Sequence, residues 1–172
     1  LEPFCSEASI EFWEGYQPKF AVEYESFRST ITDAPFAAYQ ARHEALVAAG
    51  YTLETLRHTV PETDLRSLYE ISLDSFGATW SFTAITFPEF TYQFLPSLAQ
   101  SDLVRVFVAR NIEGRIDAYF VTFLSDGSAD KELVHKTIAT RAECQNQGLA
   151  SALFYEAHQW SLRHGIDSYV YA

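Results

Sequence analysis

One segment constrains this chain more than any other: the run from Thr137 to Leu153, T-I-A-T-R-A-E-C-Q-N-Q-G-L-A-S-A-L. A β-rich run ends in a polar turn, and a helix opens at Gly148 with the small residues Ala150 and Ser151 in its first turn. The first amides of a helix lack internal partners, and the macrodipole makes that end attractive to anions. Glycine and alanine there let a diphosphate come close to the backbone. The segment reads as an anion cradle or as a plain β-α connection, and on its own it leaves both open.

The flanking sequence places this segment in a sheet. Residues 103–110 and 116–124 are apolar, β-rich runs joined by Asn111-Ile112-Glu113-Gly114-Arg115, a hairpin signal. The turn Ser125-Asp126-Gly127-Ser128 leads to a strand over 132–140, and Leu149, Leu153, Ala157 and Trp160 form one stripe of a helix ending at Arg163. Ile166 to Tyr171 begins another strand. Upstream, residues 20–27 alternate as a half-buried strand, and Asp33 with Pro35 opens a helix that runs to Gly50. Tyr51 to Arg57 is a short strand, and a helix starting at Thr59 and Pro61 ends before Gly77. In the aromatic stretch 76–94 Pro88 opens a short helix that Pro96 bends or ends. The order from residue 51 is β-α-α-β-β-β-α-β, an α/β (α+β) sheet covered by helices.

Composition narrows the classes of function. The net charge is −11, and residues 1–104 hold 15 acids and 5 bases against 8 and 7 in residues 105–172. Neither half clusters Lys and Arg, so nucleic acid is not an expected partner. The acidic first half is a solvated surface or an attraction for a cationic partner such as an amine. No apolar run approaches the roughly 18 residues of a membrane span. Leu1-Glu2-Pro3-Phe4 has no signal-peptide pattern, and Cys5 and Cys144 offer neither metal spacing nor a disulfide framework. A cytoplasmic protein without a metal site is expected.

Gln145-Asn146-Gln147-Gly148-Leu149-Ala150 resembles the Q/R-x-x-G-x-G/A signature of the GNAT (general N-acetyltransferase) superfamily. Glu143 stands where that family frequently has the same residue, and Ile138-Ala139-Thr140 matches the end of its fourth strand. The similarity extends over residues 51–172. It implies a mixed central sheet flanked by helices, with acetyl-CoA in a V-shaped opening where the fourth and fifth strands splay. The amides of Gln145, Asn146, Gln147, Gly148, Leu149 and Ala150 would face the pyrophosphate, with Ser151 close by. The backbone of Ile138, Ala139 and Thr140 would pair with the pantetheine arm. Transfer to an amine acceptor would be direct, which leaves Cys144 no nucleophilic role. A base must still remove a proton from the amine, and Glu132 and His135 are the local candidates. They are three apart on one strand, so they point to opposite faces and at most one serves.

The family's sheet continues beyond its fifth strand with a helix and two strands that carry its usual acid, a tyrosine. The resemblance therefore implies a domain over 51–172 lacking its C-terminal strands, preceded by a linker helix over 29–50. Residues 1–28 resemble the tail of a preceding domain of the same kind, or a segment that completes the sheet. There Trp13 replaces the tyrosine, and two residues are missing between Glu14 and Gly15. The chain contains no methionine, which raises the expectation of residues missing from it. A tandem domain or a homodimer is the expected assembly. A non-catalytic CoA-binding or scaffolding domain is the alternative.

Overall fold

Strands that are apolar on both faces must lie between two layers, and the two strands of the hairpin are of this kind. The computed structural model describes residues 11–12, 15, 25–32, 36–56, 59–79, 82–99, 102–125 and 131–171. In it β3 (Val104–Arg110) and β4 (Ile116–Ser125) are buried along nearly their whole length. They form the hairpin expected from the sequence, closed by Gly114 at φ +87°. The side-chain oxygen of Asn111 accepts the amides of Glu113 and Arg115, both at 3.0 Å, which fixes the turn.

The sheet has six strands in the order β1-β6-β5-β4-β3-β2, adding β1 (Phe27–Thr30), β2 (Thr52–Thr55), β5 (Glu132–Thr140) and β6 (Ser168–Tyr171). Every pairing is antiparallel except β5 with β6, a parallel pair joined by the crossover helix α4 (Leu149–Arg163). Three further helices complete the layers: α1 (Ala37–Ala48), α2 (Glu62–Phe76) and α3 (Phe87–Ala99). One core lies between the sheet and α4 with α1, built on Phe107, Phe120, Leu133, Leu149, Leu153 and Tyr169. The other lies on the opposite face under α2 and α3, built on Leu68, Ile71, Val106, Val108, Ile116 and Tyr119. Alternation along β3 explains the division: Phe107 and Ala109 face one core, Val106 and Val108 the other.

The expected order from residue 51 is the observed one. Of the two outcomes expected at Pro96, ending is excluded, because α3 continues through it to Ala99. Proline removes the donor that would meet the carbonyl of Tyr92, but Tyr92 is 82% exposed and water can take that role. The start of α3 is held by a reciprocal cap, in which the Thr86 amide and hydroxyl each donate to Glu89 at 2.7 Å. Residues 20–24 of the expected strand, the Asp33–Pro35 helix opening, the turn at 126–128 and most of the tail-like segment 9–18 lie outside the described residues. In the rest of that strand Glu25 and Ser26 are not paired, and Phe27 opens β1, which is exposed along its length where half-burial is expected. Among those described, no helix is long and apolar enough to cross a membrane, and no group of His, Cys, Asp and Glu is arranged to hold a metal ion.

Candidate functional site

The site begins where β5 changes direction. Val121 pairs with Thr137 but Thr122 pairs with His135, so Lys136 is an extra residue in β5. Such a bulge bends its strand. Before it, Glu132 to His135 pair with Ser168 to Tyr171 of β6. After it, Ile138, Ala139 and Thr140 stay paired to β4 through Phe120, Tyr119 and Ala118, and among the described residues they have no β6 partner. One edge of this stretch therefore presents open peptide groups, with the Thr140 carbonyl touched by Ser75 Oγ at 3.3 Å.

The chain next makes a short 3-10 turn at Ala142–Cys144 and reaches α4 through two left-handed residues, Asn146 (φ +62°) and Gly148 (φ +88°). Left-handed residues in such a turn gather successive N–H groups into a concavity suited to anions. The Gln145 amide is directed at the Ala142 carbonyl at 3.4 Å, and the Ala152 amide makes the first α4 bond, to Gly148 at 3.0 Å. Between them the amides of Asn146, Gln147, Gly148, Leu149, Ala150 and Ser151 have no backbone acceptor among the described residues. The Leu149 side chain is buried in the core and anchors the helix, while the Gln147 side chain is tied to the Glu143 carbonyl at 3.2 Å. The turn opens into a cleft of about 480 Å³ that Thr140, Asn146, Gly148, Ala150 and Ser151 help to line.

Arg42 of α1 lines the same cleft, a residue that no motif in the sequence singles out. A Cβ built on Gly148 would sit 3.2 Å from Arg42 Cδ, so the arginine stem crosses directly over this glycine. No carboxylate partner for its guanidinium is found among the described residues. Glycine is needed here twice, for the positive φ and for the close approach of Arg42.

A buried network fixes the turn below the cradle. The Arg141 amide donates to the Asp117 carbonyl at 2.9 Å, its Nε to the Ile116 carbonyl at 3.2 Å, and its guanidinium meets Glu70 at 3.1 Å. The Asp117 carboxylate accepts Tyr51 Oη at 3.1 Å and Asn111 Nδ2 at 3.0 Å, with Arg115 Nε 2.8 Å away. Burial, and then the Asp117 hydrogen bond, push the Tyr51 phenol up to about 12. Burial and then Asp117 likewise raise the Cys144 thiol, as befits a buried cysteine.

On the opposite face of the sheet a second cleft of about 230 Å³ lies under α3. Phe90 and Phe94, stacked with centroids 5.2 Å apart, wall it with Val106, Tyr119, Val121 and Phe123. Thr137, immediately after the bulge, reaches its edge. The Tyr119 hydroxyl shares a 2.8 Å hydrogen bond with Ser72, and burial raises its pKa against that bond.

Glu132 and His135 point to opposite faces, as their spacing requires. Glu132 is occupied by Arg28 Nε at 2.8 Å and by the Ser168 hydroxyl at 3.1 Å. His135 lies on the α4 face, ringed by Phe120, Phe154, Tyr169 and Tyr171 at centroid distances of 5.0, 5.4, 4.6 and 4.9 Å. Neither ring nitrogen has a hydrogen-bond partner, and burial lowers its pKa to about 4. Neither side chain lines either cleft.

No protein-family model and no curated protein matches the chain by sequence. Solved structures do match its fold. A tandem GNAT protein from the clavulanic acid biosynthesis pathway aligns with 98% of this chain and 50% of its own length, at TM-score 0.59 and 14% identity. L-PGS from Bacillus licheniformis aligns with 96% of this chain and 51% of its own, at TM-score 0.56 and 14% identity. An aminoglycoside acetyltransferase from an uncultured soil metagenomic sample, solved with sisomicin, aligns with 73% of this chain and 79% of its own, at TM-score 0.55 and 16% identity. This chain thus spans about half the length of the first two. Its six-stranded mixed sheet, with helices on both faces, is the fold of the GNAT acetyltransferases.

Proposed function

We propose that the chain is an N-acetyltransferase that passes acetyl from acetyl-CoA directly to an amine acceptor. The observation that carries this reading is the cradle at the start of α4, where open amides and the left-handed Gly148 lie beneath Arg42. This donor set fits a diphosphate: neutral N–H groups, a helix N-terminus and one guanidinium, with no carboxylate among the cleft's described lining residues. The amides from Asn146 to Ser151 would hold the pyrophosphate of CoA, and the free edge of Ile138, Ala139 and Thr140 would take the pantetheine arm as an added strand. Bound acetyl-CoA supplies a thioester whose acetyl carbon an amine can attack.

The chain's own residues bear on the acceptor's proton. An amine reacts only when neutral, and an apolar cleft disfavours the ammonium form. The cleft under α3 is therefore a place where an amine sheds its proton to water without a strong protein base. Glu132 and His135 stay the local candidates for that step, but Glu132 is held by Arg28 and Ser168, and His135 faces the other side of the sheet. This observation favours a second reading, a CoA-binding domain without turnover. Calorimetric titration with acetyl-CoA and a thiol-release assay over an amine panel separate the two. Binding with release of CoA thiol supports the transferase, binding alone supports the second reading, and no binding rejects both.

A further inference from the structure

The cleft under α3 has a composition more selective than transfer to an amine in general requires. Its walls are Phe90, Phe94, Val106, Val121 and Phe123, with Tyr119 as a polar group whose hydroxyl is already bonded to Ser72. No Asp or Glu is among its described lining residues. It is no closed gap in the core, because Gln93 and Lys136 at its rim are both exposed. It is also joined to the cradle by one piece of backbone. Thr137 touches the cleft and Thr140 touches the cradle, three residue steps apart, or ~10 Å of strand.

These features set what the cleft accepts. A polycationic amine carries charges that need carboxylates when removed from water, and none faces this cavity among the described residues. A single amine on an apolar body matches it: the body packs against Phe94, Val106 and Val121, and the nitrogen is the one polar group to be desolvated. Aromatic faces also receive a lone cation by cation–π attraction before it loses its proton. We propose that this cleft is the acceptor site and that it selects monoamines with an apolar alkyl or aryl body, discriminating against polyamines and aminoglycosides. The proposal rests on the acetyltransferase reading above and narrows it to a substrate class.

The test uses the whole chain with acetyl-CoA as donor and 2-phenylethylamine, hexylamine, spermidine and sisomicin as acceptors. The expected kcat/KM for 2-phenylethylamine and hexylamine exceeds that for spermidine and sisomicin by about tenfold or more, the discrimination an apolar pocket commonly supplies. Phe94→Ala should raise KM for 2-phenylethylamine by about fivefold while the KM for acetyl-CoA stays within about twofold, since the two clefts lie on opposite faces. Gln93→Glu, at an exposed position that folding tolerates, should shift the preference toward spermidine by about fivefold through the added carboxylate. A preference for spermidine or sisomicin in the unmodified protein overturns the proposal. So does an acceptor ratio that Gln93→Glu leaves unmoved. Calorimetry separates failure of the broader reading: if acetyl-CoA does not bind, the transferase is rejected. Direct titration with 2-phenylethylamine then still judges the cleft, which must bind it in the unmodified protein and lose it in Phe94→Ala.

Discussion

Replacing His135 with leucine should flatten the acid limb of the stability curve. His135 is 6% exposed, its ring is enclosed by four aromatic side chains, and neither nitrogen is hydrogen-bonded. Among the described residues the titratable groups whose rings face it are the phenols of Tyr169 and Tyr171. Burial lowers its pKa from 6.5 to about 4, a difference worth about 3 kcal/mol at full extent. Its folded-state pKa is depressed, so the folded protein binds fewer protons than the unfolded chain between these values. Stability from this position is therefore fully present above about pH 6.5. It declines as pH falls through that value, by at most about 1.4 kcal/mol per pH unit, and the loss is complete below about pH 4. The assay is urea denaturation of both proteins from pH 7.5 to pH 4.5. Carboxylates common to both cancel in the difference, which should grow in favour of His135→Leu by about 2–3 kcal/mol across the range. Parallel curves would contradict this, because they would mean that the imidazole is hydrated or paired in the folded protein.

The cradle and its helix yield further expectations. Gly148→Glu should abolish acetyl-CoA binding in calorimetry and lower stability by about 1–2 kcal/mol, because a side chain at φ +88° is strained and must displace the Arg42 stem. Arg42→Ala should weaken acetyl-CoA binding by about tenfold, and should reduce its salt dependence, with little change in melting temperature. Thr86→Ala should cost about 1 kcal/mol in denaturant unfolding by removing the α3 cap, and should raise the Glu89 carboxyl, which that cap now holds below its usual range. Restoring the melting temperature with Thr86→Ser would tie the effect to the hydroxyl.

Features set by neighbouring residues are legible in the sequence, and features set by contacts between distant elements are not. The hairpin of β3 and β4 is readable because residues 104–110 and 116–125 are apolar on both faces and Gly114 sits at their turn. The start of α4 is readable because Gly148 and its small neighbours state a local backbone need. The opposite faces of Glu132 and His135 follow from simple alternation. That alternation fails two residues later: without the bulge at Lys136, Thr137 would share a face with His135, whereas it lines the cleft on the other side. A bulge depends on how β5 pairs with β4, and a single strand's pattern does not encode it. Arg42 is invisible for a related reason. Its place over Gly148 comes from the packing of α1 against α4, more than 100 residues apart in sequence. Glu132 resembles a free base in the sequence, but Arg28 reaches it from β1, a strand whose place beside β6 only the folded sheet reveals.

We propose that the turn from Asn146 to Ser151 is a diphosphate cradle served by the open edge of β5. Backbone amide shifts followed by NMR during titration with acetyl-CoA test it most directly. The largest saturable shifts are expected at residues 146–151 and 138–140, with the Gln145 amide, already bonded within its turn, moving less. Saturable shifts confined to another part of the sheet, or none at millimolar acetyl-CoA, would contradict it.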